Sequence, residues 1–228
     1  MTSTIIVPLC GGNDIPSLPN ALVVDNRSNS QSPCEIYQEA LEMTKSDVLI
    51  YAHDDLEIMD GDWNTKVMEQ FLLYKDCVAV GLGGATGLGN KDLYRKPFNI
   101  WNMARKGYAS NQKDAEVHGE RFTGVRRVAV LDAFFMAIRT DFLRGVGGWP
   151  VDRLTHHCLD LWLACEAARA GNSTFIVGIE CHHHGGRSST SPGYRNARWI
   201  QGGTLESEHI LPHQWIFDSY RDVLPIEV

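Results

Sequence analysis

The chain has 228 residues, 43% of them hydrophobic and 21% charged, which suits one soluble globular unit and does not demand a second domain. Its formal net charge of −7 excludes a sequence-independent nucleic-acid or anionic-membrane surface, which needs a basic excess, but leaves room for a local basic pocket that meets phosphate. The opening "MTSTIIVPLCGG" lacks the pattern of a signal peptide, and no window approaches the roughly 18 apolar residues of a transmembrane helix.

The segment 4–9, "TIIVPL", predicts a buried strand, and 21–26, "ALVVDN", a second strand that ends in polar residues. After the loop "RSNSQSP", Ser32 stands as N-cap, Pro33 at the first helical position and Glu35 three residues past the cap. That is a capping box, and the helix it starts should run through "CEIYQEALEMTK". "DVLIYAH" (47–53) is the next strand. "DWNTKVMEQFLLY" has helical periodicity with Asp62 as its candidate cap, and "CVAVGL" (77–82) is a further apolar strand. Strand and helix alternating in short steps predict βαβ units, hence an α/β fold with a mostly parallel central sheet flanked by helices.

Residues 84–127 are polar and weakly periodic, and read as an irregular excursion that covers a site. "VAVLDAFFMAIR" (128–139) follows as one strand, and "TDFLRGVGGW" as a short helix closed by glycines. "LDLWLACEAARAG" is an amphipathic helix ended by Gly171. "STFIVGIE" is a strand that runs straight into "CHHHGGRSS". The tail, 192–228, is polar with aromatic spots and room for one or two helices. The six cysteines are scattered and form no CxxC pair, which predicts reduced thiols in a cytoplasmic protein.

In an open parallel α/β sheet, ligands bind beyond the carboxyl ends of the strands. Three polar clusters fall at such ends: Asp25-Asn26, His53-Asp54-Asp55, and Cys181 to Ser188. Packing gives no reason to set two carboxylates side by side, whereas hard cations such as Mg²⁺ and Mn²⁺ favour oxygen ligands. His182, His183 and His184 cannot all reach one ion from an extended strand, because neighbours point to opposite faces. Asp132 lies in an apolar run, where a carboxylate needs a partner. The glycine run "GLGGATGLG" follows a strand but opens no helix, so it is not a dinucleotide-binding turn.

Taken in order, these pieces resemble the family 2-like glycosyltransferases of the GT-A fold. "VVDNRSNS" resembles that family's early V-D-N-x-S strand end. "AHDDLEI" resembles its D-x-D position, in the branch that carries H-x-D there. "VAVGLGGATG" looks like the glycine-rich strand end that follows. "LDAFFMAIRTDFLRGVGGWP" is similar to the segment R-x-D-x-[FL]-x-x-x-G-G-[FW], "HHCLDLWLACEAARAG" to the E-D-x-D-L helix start, and "HHGGRSS" to the late H-x-x-G-x-S. The resemblance covers about residues 4–190. It departs at the helix start, where His157-Cys158 replaces the usual Glu-Asp before Leu159-Asp160; in inverting members the lost carboxylate is the catalytic base.

The resemblance implies a single GT-A domain over 1–228 and a metal-dependent glycosyltransferase that uses a nucleotide-diphosphate sugar, with a UDP-sugar favoured and a glycan or small molecule as acceptor. It implies Mn²⁺ or Mg²⁺ held by Asp55 and His183 with His53, His184 standing second to His183. The nucleotide would meet Pro8, Asp25, Asn26 and Asp54, and Arg187 the diphosphate. His157 or Asp160 remains as base, and Asp132 would meet a sugar or acceptor hydroxyl. "HHGGRSSTSPG", with glycines at 185, 186 and 193, is expected to close as a lid over the donor. Two rivals stay open: a divalent-metal hydrolase built on the same cluster, and a catalytically silent module that binds sugar nucleotides or glycans.

Overall fold

The computed structural model describes residues 1–10, 18, 20–28, 30–89, 106–113, 119–184 and 205–228. Its centre is a seven-stranded sheet. β1 (Ser3–Leu9) pairs in parallel with β2 (Ala21–Asp25) on one side and with β3 (Val48–Ala52) on the other. β10 (Phe135–Arg139) then enters antiparallel between β3 and β5 (Cys77–Gly81). β11 (Ser173–Val177) continues parallel to β5, and β8 (Val125–Val128) closes the edge antiparallel. Five of the seven strands thus share one direction, and their carboxyl ends lie along one rim of the sheet.

Period-two alternation divides the core between the two faces of this sheet. On β3, Leu49 and Tyr51 join one apolar cluster, while Val48, Ile50 and Ala52 join the other. β10 divides in the same way, Met136 and Ile138 against Phe135 and Ala137. The first face is covered by α1 (Pro33–Met43), α3 (Thr140–Gly145) and α4 (Leu159–Arg169). The second is covered by α2 (Trp63–Leu73) through Trp63, Val67 and Phe71. α1 begins with the expected capping box: the Ser32 hydroxyl accepts from the Glu35 N–H, and the Glu35 carboxylate accepts from the Ser32 N–H. Asp62 does precede α2, but its side chain makes no capping bond.

α3 ends where the two glycines are required. Gly147 and Gly148 take φ of +94° and +84°, which places the Gly148 N–H on the Leu143 carbonyl at 2.8 Å and closes the helix. Gln38 of α1 then accepts from the Trp149 N–H at 2.8 Å. The Trp149 indole packs on Tyr37, Tyr51 and Trp162, and its Nε1–H donates to the Tyr51 hydroxyl at 3.2 Å. This aromatic cluster ties α1, β3 and α4 together behind the strand ends.

Two expectations need correction. The excursion 84–127 is not irregular throughout: it holds most of β6 (Gly83–Leu88), β7 (Lys106–Ser110) and β8. β6 pairs antiparallel with β7, with β9 (Val130–Leu131) and with β13 (Ile226–Glu227) near the end of the chain. The glycines of β6 permit this crowding, since a Cβ on Gly84 would overlap the Val130 carbonyl oxygen. Nor is 128–139 a single strand. It breaks into β8, β9 and β10, because Ala129 and Asp132 turn their N–H groups to the Ala85 and Gly83 carbonyls, each at 2.8 Å. Asp132 therefore sits in the turn before β10. Among the described residues of the tail, the helix α5 (Leu205–Ser219) precedes β13. Arg187, residues 185–193 of the expected lid and the tail segment 192–204 lie outside the described residues.

Candidate metal centre and cleft

β3 ends at Ala52, and the next three residues cross from the main sheet to a small second one. That second sheet is β4 (Leu56–Ile58) paired antiparallel with β12 (Cys181–His183), in the register His183↔Leu56 and His182↔Glu57. Two backbone bonds fix the link: the His53 N–H donates to the Phe134 carbonyl at 3.0 Å, and the His184 N–H to the Asp55 carbonyl at 3.1 Å. The fold thereby brings residues 130 positions apart into contact. His53 Nδ1 lies 3.2 Å from His183 Nε2, and His183 Nε2 lies 3.2 Å from Asp55 Oδ1. The His183 ring stacks on Phe134 with centroids 4.8 Å apart, which orients it toward the other two.

The three ligand atoms all lie within 4.8 Å of one another. Bonds of about 2.1 Å to a small divalent cation place ligands at right angles about 3.0 Å apart, close to both observed 3.2 Å gaps. A single Nε2 proton is at best shared between two partners, whereas a cation satisfies three electron-pair donors at once. The charge environment suits an ion as well. Burial, reinforced by the neighbouring His183, lowers the His53 imidazole pKa and keeps the ring neutral, as a ligand must be. Burial pushes the Asp55 carboxyl up, but the hydrogen bond from His183 and the closeness of the two imidazoles outweigh it, and the net shift is downward. His53, Asp55 and His183, named from the sequence, thus fit a divalent metal.

Asp54 faces the other way. Its Oδ2 accepts from the Cys10 N–H at 2.8 Å, which ties the end of β1 to the end of β3. Burial, with the Asp54 charge next, pushes the Cys10 thiol up to about 12. Asp54 and His53 line a narrow cleft with Pro8, Cys10, Pro33, Tyr37, Ala133, His156 and Leu159. Asn26 is buried at the end of β2, where its amide donates to the Gln31 carbonyl at 2.8 Å. Asp25 is exposed and meets the Arg27 guanidinium through two bonds, at 2.9 and 2.5 Å. Those bonds hold its carboxyl down at about 2.

Asp132 has a partner that the sequence did not suggest. The Tyr108 hydroxyl donates to Asp132 Oδ2 at 3.0 Å, and the Gln112 amide reaches the same hydroxyl at 3.3 Å. Tyr108 arrives by the β6–β7 pairing, so only the register places it there. At the start of α4, Cys158 caps in the left-handed region with φ of +67°. Asp160 is buried and accepts from the Leu161 N–H at 3.0 Å. His157 is half-buried and meets His156 edge to face, with centroids 4.7 Å apart. His156, which sequence reasoning passed over, is the histidine of this pair that lines the cleft.

Among solved structures, the fold is similar to GalNAc-T7, solved with UDP, GalNAc and Mn²⁺, at 12% identity and a TM-score of 0.53. That alignment covers 87% of this chain and 47% of the other, so the chain spans about half the length of that protein. The mannosyltransferase PcManGT from Pyrobaculum calidifontis, in complex with GDP-Man and Mn²⁺, aligns at 14% identity and a TM-score of 0.49, covering 98% of this chain and 74% of that one. No curated protein matches the sequence. Residues 19–201 match the model of a glycosyltransferase-like family, a span well over half of the chain that includes β3, β10, α4 and His53, Asp55 and His183. The chain belongs to this glycosyltransferase-like family and is a transferase of the GT-A fold.

Proposed function

We propose that the protein is a metal-dependent glycosyltransferase that takes its sugar from a nucleotide-diphosphate donor, a UDP-sugar before others. The observation that carries this reading is the convergence of His53, Asp55 and His183 at the carboxyl rim of the sheet. Mn²⁺ suits the site better than Mg²⁺, because two of the three ligands are imidazoles and Mg²⁺ prefers oxygen. Bound there, the ion would neutralise charge that develops on the leaving diphosphate. The UDP and Mn²⁺ of the GalNAc-T7 structure support the choice of donor.

The chain's own groups divide the remaining work. Pro8, Asn26 and Asp54 border the place for the nucleotide, with Asp25 at the outer end of the β2 edge strand. The Asp25–Arg27 pair would present a rigid, charged rim to the ribose or base. Asp132, held by Tyr108, offers an acceptor oxygen to a sugar hydroxyl. If the reaction inverts configuration, His157 or Asp160 takes the acceptor's proton, and the neighbouring His156 lines the cleft. The reading of 1–228 as one unit is supported by β13, which returns the end of the chain to β6. Among the described residues, no helix is long and apolar enough to cross a membrane.

The test is a panel of UDP-, GDP- and TDP-sugars incubated with the protein and Mn²⁺, with release of nucleoside diphosphate and thermal stabilisation read in parallel. Stabilisation by one nucleotide class that depends on Mn²⁺, with metal-dependent diphosphate release, is expected. Binding with no turnover toward any acceptor would favour the silent module, for which the His157-Cys158 replacement is the supporting feature. Metal-dependent cleavage of simple phosphoesters without sugar transfer would favour the hydrolase.

A further inference from the structure

His182 and His183 end β12 and His184 follows it directly, and the alternation gives these three histidines two destinations. His183 turns inward to Asp55 and His53. His182 and His184 turn to the opposite face, where their rings lie with centroids 3.9 Å apart. Glu57, directly across the ladder from His182, reaches the same place, with its Oε1 3.4 Å from His184 Nε2. One ligand atom from each of these three residues lies within 4.8 Å of the others.

We infer that Glu57, His182 and His184 form a second metal site, independent of the first, for a borderline transition ion of the Zn²⁺ type. Two imidazoles and one carboxylate are a donor set that such ions accept readily, with water left to complete the coordination. A histidine pair two apart on a strand is a chelate whose geometry the backbone supplies. Here the backbone is firmly held: the Met59 N–H donates to the Glu180 carbonyl at 3.0 Å, and the Lys113 N–H to the Cys181 carbonyl at 2.6 Å. The half-buried imidazoles lose little freedom on binding, so two of the three ligands stand preplaced, and the exposed Glu57 completes the set. An ion there cross-links β4 to β12, the two strands that flank Asp55 and carry His183. It therefore acts as a clip on the small sheet and stabilises the native state by mass action. The site does not depend on the sugar-transfer reading.

Equilibrium dialysis against Zn²⁺ alone, with elemental analysis, tests this on the full chain. The wild type should hold two ions, His53→Asn/Asp55→Asn one, and His182→Asn/His184→Asn one. In the His53→Asn/Asp55→Asn protein, Zn²⁺ should still raise the unfolding temperature. If His182→Asn/His184→Asn disturbs folding by circular dichroism, Glu57→Gln, which leaves both histidines in place, should weaken the second ion tenfold or more. Two ions retained in folded His182→Asn/His184→Asn, no ion in His53→Asn/Asp55→Asn, or unchanged affinity in Glu57→Gln would each overturn the proposal. Loss of the inner ion's role in nucleotide binding, with the outer ion still present, would sink the metal-dependent donor reading and leave this one standing.

Discussion

Asp55→Asn is the sharpest test of the inner site, because the substitution keeps size and shape and removes one charge. The side chain is only 5% exposed, so solvent does little to screen what is lost. Without metal, two effects oppose each other: the variant loses a charge-assisted bond worth about 1.5–3 kcal/mol, but it no longer pays to bury a carboxylate. The metal-free fold should therefore change little in stability. With metal, nothing offsets the loss fully. A unit charge about 4 Å from another is worth about 4 kcal/mol at an effective dielectric of 20, and relief of desolvation returns part of this. A net loss of at least about 1.4 kcal/mol corresponds to tenfold or more in the Mn²⁺ dissociation constant. Calorimetric titration of Mn²⁺, alone and with UDP, into folded wild type and variant measures it directly. Equal Mn²⁺ affinity in the two proteins, with matching circular dichroism, would refute the assignment of Asp55 as a ligand.

His157→Asn should cut turnover by roughly 10²–10⁴ with little change in donor affinity if His157 is the base. The same loss in Asp160→Asn alone would move the role to Asp160, and near-normal rates in both would remove the need for a base on α4. Ser32→Ala deletes the capping bond to the Glu35 N–H and should lower stability by about 1 kcal/mol, read as a lower urea midpoint that Ser32→Asn largely restores. Gly84→Ala drives a methyl group into the Val130 carbonyl oxygen and should cost about 2 kcal/mol or more; an unchanged midpoint would show that β6 and β9 separate freely. With its thiol pushed up to about 12, Cys10 stays protonated at pH 8 and should react with iodoacetamide roughly a thousandfold more slowly than an ordinary thiol, a difference that pulse labelling and mass spectrometry would show vanishing in urea.

Much of this architecture was legible because its signals are local. Ser32, Pro33 and Glu35 announce the start of α1 within four residues, and Gly147-Gly148 announce the end of α3 because only glycine takes those φ values easily. Strand alternation showed that His182, His183 and His184 could not all reach one ion, and the family resemblance singled out His183. The parts that escaped depend on contacts between distant segments. Nothing near Tyr108 marks it as the partner of Asp132; that follows from the β6–β7 register, which crosses a long connection. The break of 128–139 into three strands was hidden for a related reason. "VAVLDAFFMAIR" is apolar on both faces, so its periodicity cannot reveal where Ala129 and Asp132 turn to bond β6. His156 differs from His157 only in which one faces the cleft, and a run without regular structure has no period from which to read direction.

The short link between β3 and β4 constrains how this protein can vary. Ala52 ends one strand and Leu56 begins another, each held in register by its own sheet. The residues between them can be exchanged for others with suitable donor atoms, and the backbone will still deliver position 55 to His183. Their number cannot change so freely. One residue added or removed would either rotate β4 by half a period, putting Glu57's face where Leu56 now packs, or carry Asp55 away from the rim. Substitution can therefore retune which ion binds here, whereas a single insertion or deletion would abolish the site while leaving the main sheet intact. Among variants of this chain, the length of 53–55 is a stricter marker of a working metal centre than the identity of the residues that fill it.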